Sequence, residues 1–273
     1  MTDTPVPLIM VSPARPAGWR DYFMKNPGKA RLVVVIALFI LWEIAGHTVL
    51  DPHFLSPPTT IVQALPKVLG DAGVRGALWA SFYELIIAFA IAVVAGVAIG
   101  LPIGLHRFTQ RASMPLILLI YSIPQVTILP LFVLYFGIGA GSKIAFGVSH
   151  GIFPILLNVV AGVQSVEEAH LTAARAMGAT RMQIIRRVVL PHMTPSLFAG
   201  LRLAMSGTLL GVILAELYVS QGGIGYYSRV FADSFNPPST FALVTCLAVM
   251  AIAVNEIVRR AERRASFWRA HQR

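Results

Sequence analysis

The sequence predicts an all-α integral membrane protein with six transmembrane helices. Of its 273 residues, 56% are hydrophobic and 12% are charged, and the mean hydropathy is +0.72. This composition excludes an ordinary soluble domain. Several apolar runs also reach the roughly 20 residues that a helix needs to cross the hydrocarbon core of a bilayer.

The predicted spans follow one another with short connections. Their approximate bounds are 31–50, 79–105, 114–136, 144–164, 195–219 and 238–258. They form one transmembrane domain over residues 31–258, between an amino-terminal tail, 1–30, and a basic tail, 259–273. Between the first two spans, Pro57 and Pro58 precede a short amphipathic stretch that Thr59 or Thr60 can cap, which predicts a surface helix.

Lys and Arg are distributed unevenly between the two sides of the membrane. Five lie up to Arg31, two between the second and third spans, four in residues 165–191 and six after the last span. The three segments on the other side together hold four. By the positive-inside rule, both termini and the 165–191 loop lie in the cytoplasm. Topology therefore accounts for the net charge of +10, and we expect no nucleic-acid partner.

Small residues and prolines give two spans special features. In the second span, Ala92, Gly96, Gly100 and Gly104 recur at every fourth residue, which predicts a face for close helix packing. The third span is interrupted near its middle by Pro124 and Pro130. Carbonyls freed beside prolines are tolerated in a membrane only where they are buried or line water. The third span is thus either a pathway-lining helix or a kinked helix bonded to its neighbours.

Polar side chains inside the spans are the candidates for a translocation pathway. A polar or ionisable residue within the membrane is by default a functional hypothesis, although a single His or Asn also commonly bonds to a neighbouring helix. For Glu216 we favour a structural or gating role. The pathway candidates are Tyr121, Gln125, Thr127, His150, Asn158, Ser206 and Glu216.

The 165–191 loop is the longest polar segment between two apolar spans. From Glu168, its alanines favour a helix, and Gly178 permits a turn into a second short helix. After the turn, Met182, Ile185, Val188 and Val189 recur at helical spacing as an apolar face, while the arginines project elsewhere. Pro191 and Pro195 are expected to close this helix-turn-helix before the fifth span.

This loop resembles the cytoplasmic EAA loop of binding-protein-dependent ABC importer permeases. The family pattern is Glu-Ala-Ala, three residues, Gly, nine residues, Ile, any residue, Leu-Pro. Every spacing is kept here, but Thr172 stands where the family has Glu, and Val188 replaces Ile. The matching positions are Thr172, Ala173, Ala174, Gly178, Val188, Leu190 and Pro191.

The resemblance implies the permease subunit of an ATP-driven importer in a bacterial inner membrane. The ATPase would dock on the matching positions together with Ala179 and Arg181. The implied partners are a second copy of the permease, cytoplasmic ATPase subunits that hold ATP and Mg, and a periplasmic substrate-binding protein. The order of motifs looks most like the nitrate, sulfonate and taurine type, which implies a small organic anion as substrate.

Residue patterns for chemistry on this chain itself are missing from the sequence. GIGAGSK at 137–143 lacks the spacing of a phosphate-binding loop, and no pattern of a hydrolase or metal enzyme is present. We therefore expect no enzyme activity, no cofactor and no metal on this chain, and Cys246 is expected to be a packing residue. The alternative function is an ion-driven secondary transporter or channel that works without an ATPase.

Overall fold

The computed structural model describes residues 27–48 and 55–265, and this part of the chain is almost entirely helical, without a strand. The predicted fold class is thereby confirmed. The helices are α1 (Pro27–Thr48), α2 (Pro58–Gly70), α3 (Ala72–Leu105), α4 (Arg107–Ser122), α5 (Leu129–Phe136), α6 (Ala140–Gln164), α7 (Glu168–Ala176), α8 (Arg181–Ile184), α9 (Leu190–Val219), α10 (Ile224–Asp233) and α11 (Pro237–Ala265).

Five of these helical segments are long and apolar enough to cross a membrane, and a bent pair can supply a sixth span. The pair is 107–122 with 125–136. The six predicted spans therefore all correspond to helical segments of the described chain. Of the predicted tails, residues 1–26 and 266–273 lie outside the described residues, so the division into tails and one domain remains a prediction.

The chain divides into two compact units, with the boundary after Thr59. In the first unit, His47 Nε2 lies 3.0 Å from Glu43 Oε1, one helical turn away. Thr59 donates to the same carboxylate through its hydroxyl, at 2.6 Å, and through its backbone N–H, at 3.1 Å. Helix α2 already begins at Pro58, so Thr59 is not the cap that the sequence suggested. Glu43 instead accepts the backbone N–H of Thr59, which has no partner within the first turn of α2.

The second unit is built around α6, which packs against both α3 and α9. The small-residue stripe of α3 faces α6, as predicted. A Cβ on Gly96 would lie 2.8 Å from Ile155 Cβ, and one on Gly104 would lie 2.9 Å from Val163 Cβ. On the other side of α6, a Cβ on Gly147 would lie 2.7 Å from Val212 Cγ2 of α9. Glycines therefore set the close spacing of all three helices.

The third span is broken into two helices that are bent by 80°. Ile123 is extended (φ −64°, ψ 130°), the conformation that a following proline favours, and it ends α4. A 3-10 turn, Gln125–Ile128, joins the break to α5, whose first turn contains Pro130. The interruption is thus deeper than a kink in a continuous helix.

The helix that enters the fifth span is continuous through both prolines that were expected to close the 165–191 loop. That expectation was wrong: residues 181–219 form one helical segment. A π-helical turn, Ile185–Val189, precedes Pro191, and the N–H of Leu190 bonds to Ile185 O across the wider turn. Because π-helical turns shift the register of backbone bonds, the missing N–H of Pro191 is absorbed without a break.

Candidate functional site

The turn of the 165–191 loop is a Schellman motif centred on Gly178. Gly178 adopts φ +75°, a left-handed angle that glycine takes at little cost. Its N–H bonds to Arg175 O at 2.9 Å, and the N–H of Ala179 bonds to Ala174 O at 3.1 Å. These two bonds satisfy the last carbonyls of α7 and fix the direction in which the chain leaves it.

A capping box starts the second helix of the loop directly after this turn. The N–H of Gln183 bonds to Thr180 Oγ1 at 3.4 Å, and the N–H of Thr180 bonds to Gln183 Oε1 at 2.7 Å. This reciprocal pair satisfies two backbone donors at the helix start. The helix-turn-helix is therefore defined at both sides of Gly178 by local hydrogen bonds.

Apolar contacts and ion pairs hold the base of the loop against the bundle. Ala174 and Val189 are buried. Glu168 pairs with Arg107 at 3.2 Å. It also pairs with Arg175 at 3.5 Å. Exposed pairs of this kind contribute little individually, about 0–1 kcal/mol each, so the buried side chains carry most of the anchoring.

Two further contacts tie the ends of the loop to neighbouring helices. Arg181 Nη2 lies 2.9 Å from His106 Nε2, at the junction of α3 and α4. His192 Nε2 lies 3.0 Å from Ser165 O, at the end of α6.

Glu168, which forms the ion pairs with Arg107 and Arg175, lies one helical turn before Thr172. Helix α7 therefore keeps an acidic residue although Thr172 replaces the Glu of the family pattern.

The tip of the loop is exposed and apolar. Met177 is 81% exposed and Met182 is 56% exposed, whereas Ala174 beneath them is buried. Met182 belongs to the apolar face that the helical spacing predicted, but α8 leaves this side chain exposed. Met177 was not singled out in the sequence. A Cβ at Gly178 would meet nothing within 4 Å, so the space beside this turn is open.

The remaining predicted positions of the loop lie at its base or on its rim. Thr172, Ala173, Arg181 and Leu190 are exposed, and Ala179, Val188 and Pro191 are partly buried. A cavity of about 990 Å³ opens beside them, towards the junction of α3 and α4. Its lining includes four arginines, namely Arg107, Arg111, Arg175 and Arg181.

Two of the predicted pathway residues, Gln125 of the broken third span and His150 of α6, share Ser149 as a partner, and two more lie in or beside the break. Ser149 Oγ lies 3.4 Å from Gln125 Oε1 and 3.4 Å from His150 Nδ1. Tyr121 stacks on Phe153 of α6, with ring centroids 5.3 Å apart. Thr127 is in the same break and donates to Pro124 O at 2.7 Å. Ser149 links two of the candidates but was not predicted.

The other three pathway candidates lie elsewhere. Asn158 donates to Pro154 O at 2.8 Å and packs against Gly200 of α9. Ser206 is exposed, and its hydroxyl lies 3.4 Å from Arg202 O. Glu216 is fully buried near the end of α9, so it does not line a surface shared with the others.

Glu216 belongs to a buried group of charged side chains that the sequence reading missed. Lys143 Nζ lies 2.6 Å from Glu84 Oε1 and 3.9 Å from Glu216 Oε1. Ser81 donates to Glu216 Oε1 at 2.6 Å, and the N–H of Gly225 donates to Glu216 Oε2 at 2.9 Å. The sequence contained one indication of this group. Glu84 lies within an apolar span, and a buried carboxylate needs a partner.

Five or six helical segments that are long enough to cross a membrane, with an anchored polar loop and a polar break in one of them, are typical of a multi-pass membrane protein. The chain belongs to the family of binding-protein-dependent transport system inner membrane components, whose model matches residues 92–267. It is thus a permease subunit of an ATP-driven importer of the inner membrane, and the ion-driven alternative is not favoured.

Characterised relatives match over most of their own length. The chain is 29% identical over 240 residues to the taurine transport system permease protein TauC of Escherichia coli (strain K12), covering 86% of this chain and 87% of TauC. It is 29% identical over 237 residues to the formylaminopyrimidine transport permease protein ThiX of Halalkalibacterium halodurans, covering 87% and 94%. It is 26% identical over 241 residues to the nitrate import permease protein NrtB of Synechocystis sp., covering 84% and 86%.

A solved structure shares the fold. The inward-facing MetNI methionine ABC transporter aligns with a TM-score of 0.57 and 21% sequence identity, over 67% of this chain and 93% of the matched chain. At this identity the likeness describes the fold alone.

Proposed function

We propose that the permease imports a small organic anion of the sulfonate, taurine or nitrate-like class, delivered by a periplasmic binding protein. The proposal draws on relatives named for taurine and nitrate transport. A further relative, 27% identical over 252 residues, is named for aliphatic sulfonates. The polar group of Gln125, Ser149 and His150 supports it, because neutral hydrogen-bonding groups can pass an anion without holding it as a fixed cation would.

We further propose that the tip of the 165–191 loop docks into a cytoplasmic ATPase. The observation that carries this proposal is the contrast between an exposed apolar tip, with Met177 81% exposed, and a base that is held by Ala174 and Val189. An exposed apolar side chain on a rigidly anchored turn is suited to fill a pocket of a partner. ATP and Mg would be held by the ATPase, and this chain would bind neither.

In this arrangement the loop acts as a lever. The π-helical turn joins the loop to α9 without a break, so displacement of the tip is passed along residues 181–219 into the membrane. Two copies of the permease would enclose the path, and both termini would lie on the cytoplasmic side with the loop. Such rigid-body movement of one element against another is a common way to alternate access.

The docking role is tested by Met177→Glu in the complete transporter reconstituted with its ATPase and binding protein. The measurements are co-purification of the ATPase and ATP hydrolysis stimulated by the loaded binding protein. We expect at least a tenfold loss of stimulated hydrolysis. The matched control is Phe235→Glu, which places the same charge on a side chain that is 70% exposed between α10 and α11. Equal effects of the two changes would contradict the docking role.

A further inference from the structure

Three buried side chains form a charge cluster at the end of the bundle opposite the 165–191 loop. The buried charge cluster consists of Glu84 of α3, Lys143 of α6 and Glu216 of α9, with side chains 5%, 6% and 0% exposed. Lys143 lies in the first turn of α6, whose other end leads into the loop, and Glu216 lies in the last turn of α9. The cluster therefore joins three helices far from the proposed ATPase contact.

Hydrogen bonds satisfy one of the two carboxylates completely but not the other. Glu216 accepts a hydrogen bond from the Ser81 hydroxyl at Oε1 and one from the Gly225 N–H at Oε2. Ser81 in turn accepts the N–H of Ile224 at 2.9 Å, which ties the start of α10 to α3. Glu84 Oε1 is bonded to Lys143, but its Oε2 is buried and has no hydrogen-bond donor among the described residues.

The charges of the cluster do not balance. Two carboxylates and one ammonium leave a net charge of −1 in a site that is almost closed to water. A buried charge without a counter-charge is strongly unfavourable, and two carboxylates that share a site do not both remain ionised. Lys143 Nζ lies 2.6 Å from Glu84 Oε1 and 3.9 Å from Glu216 Oε1, so the two buried carboxyls lie beside the same ammonium and close to each other.

Among the residues that the structure describes, no other charged group supplies the missing compensation. From α10, Arg229 donates to Leu217 O at 2.7 Å and approaches Ser220 O at 3.5 Å, so its guanidinium binds carbonyls. From α6, His150 is two helical turns from Lys143 and contacts Phe146 O at 3.0 Å. The charges that act on Glu216 are those of Lys143 and Glu84.

We propose that the buried charge cluster is a proton-binding site, with one proton shared between the Glu84 and Glu216 carboxyls beside the Lys143 ammonium. The proton makes the cluster neutral and gives Glu84 Oε2 a role in a carboxyl–carboxylate hydrogen bond. A divalent metal ion is a poorer occupant because it takes six or more oxygen ligands, whereas Glu84 Oε2 is the one carboxylate oxygen of the cluster without a partner.

The shared proton holds the far ends of α3, α6, α9 and α10 together in the neutral cluster. It is a fixed structural proton and is not transported, since the importer is driven by ATP. Removal of the proton leaves two buried carboxylates facing each other, which weakens the attachment of α10 to α3 through Ser81.

Infrared difference spectroscopy of the purified full-length protein at neutral pH tests the proposal directly. Subtracting the spectrum of Glu84→Gln from that of the wild type should reveal the C=O stretching band of a protonated carboxylic acid. Glu216→Gln should remove the same band, because the proton belongs to the pair. The matched control is Glu256→Gln on α11, where the carboxylate faces Arg259 and Arg260 and should lose only ionised-carboxylate bands.

Loss of ionised-carboxylate bands alone in both cluster variants would overturn the proposal. If one variant does not fold, the other still reports the pair. A second measurement is the midpoint of thermal unfolding in detergent. The folded wild type holds one proton more than the unfolded chain, in which both carboxylates are ionised at neutral pH. Its midpoint should therefore fall as pH rises from about 5 through neutrality, until the shared proton is lost. Glu84→Gln needs no proton and should show no such fall, whereas an equal fall in both proteins contradicts the shared proton.

Discussion

Gly178 and Gly137 adopt nearly the same positive φ, +75° and +73°, at opposite ends of the segment that contains α6 and α7. Gly137 lies directly after α5 and before α6. Gly178 lies directly after the end of α7. A Cβ on either glycine would meet nothing within 4 Å. Both positions therefore favour glycine, and Gly137, with ψ 176°, does so more strictly. Only Gly178 lies in the loop that we propose as the ATPase contact.

This relationship gives a controlled test of the loop. Gly178→Leu should cost about 1–2 kcal/mol of stability, because a side chain is unfavourable at a left-handed angle. Gly137→Leu should cost at least as much, because its backbone angles are nearly confined to glycine. Gly178→Leu should in addition abolish most substrate-stimulated ATP hydrolysis, since its side chain projects into the space around the tip. Hydrolysis by the complete transporter is the measurement. If Gly137→Leu loses hydrolysis to the same extent, the effect is due to strain and not to docking.

The glycine stripe of α3 should be intolerant of even one added methyl group. In Gly96→Ala, the new Cβ would lie 2.8 Å from Ile155 Cβ, so α3 and α6 would have to move apart. Overpacking of this kind costs about 1–3 kcal/mol. Gly76→Ala on the same helix meets nothing within 4 Å and should gain up to about 1 kcal/mol from helix propensity. The midpoint of thermal unfolding in detergent should be lower for Gly96→Ala only. A lower midpoint for both variants would contradict the packing explanation.

Local patterns predicted the parts of the structure that depend on neighbours in the sequence. The stripe of Gly96, Gly100 and Gly104 indicated a packing face because helical periodicity places those residues together. The turn at Gly178 was predictable because a left-handed residue needs a glycine. Pro124 indicated an interruption of the third span. Each of these features is determined by residues within a few turns of one another.

Features that depend on distant residues or on backbone register were not predicted. Glu84 and Lys143 meet only after α3 and α6 have packed, so the sequence alone gave no reason to pair them with Glu216. The π-helical turn before Pro191 was missed because the sequence of 185–189 has ordinary helical periodicity, and a proline normally ends a helix. Met177 was overlooked because exposure of one methionine is decided by the angle of the turn.

Replacement of the polar link in the broken span should slow transport without unfolding the protein. Gln125→Leu removes the partner of Ser149 Oγ, at 3.4 Å, and places an apolar side chain in the break. We expect uptake to fall about tenfold, with the expression level and the thermal midpoint unchanged. Uptake into proteoliposomes of taurine, an alkanesulfonate and nitrate, each with its binding protein, is the measurement. Thr245→Leu on α11 is the control, because its hydroxyl bonds only within its own helix, to Phe241 O. Unaltered uptake in Gln125→Leu would remove this group from the proposed path.

The proposed orientation can be tested through the single cysteine of the chain. Cys246 is the one cysteine in the sequence and is partly buried, so Cys246→Ala provides a background for single-cysteine variants. Met177→Cys and Phe235→Cys each place a thiol at a position that is highly exposed, 81% and 70% for the native side chains. These positions lie at opposite ends of the bundle, since α9 separates the loop from the α10–α11 connection. A membrane-impermeant maleimide added to intact spheroplasts should label the cysteine at position 235 and leave that at position 177 unlabelled until the cells are broken. The positive-inside rule requires this result, and labelling of position 177 from outside would reverse the orientation and place the loop out of reach of a cytoplasmic ATPase.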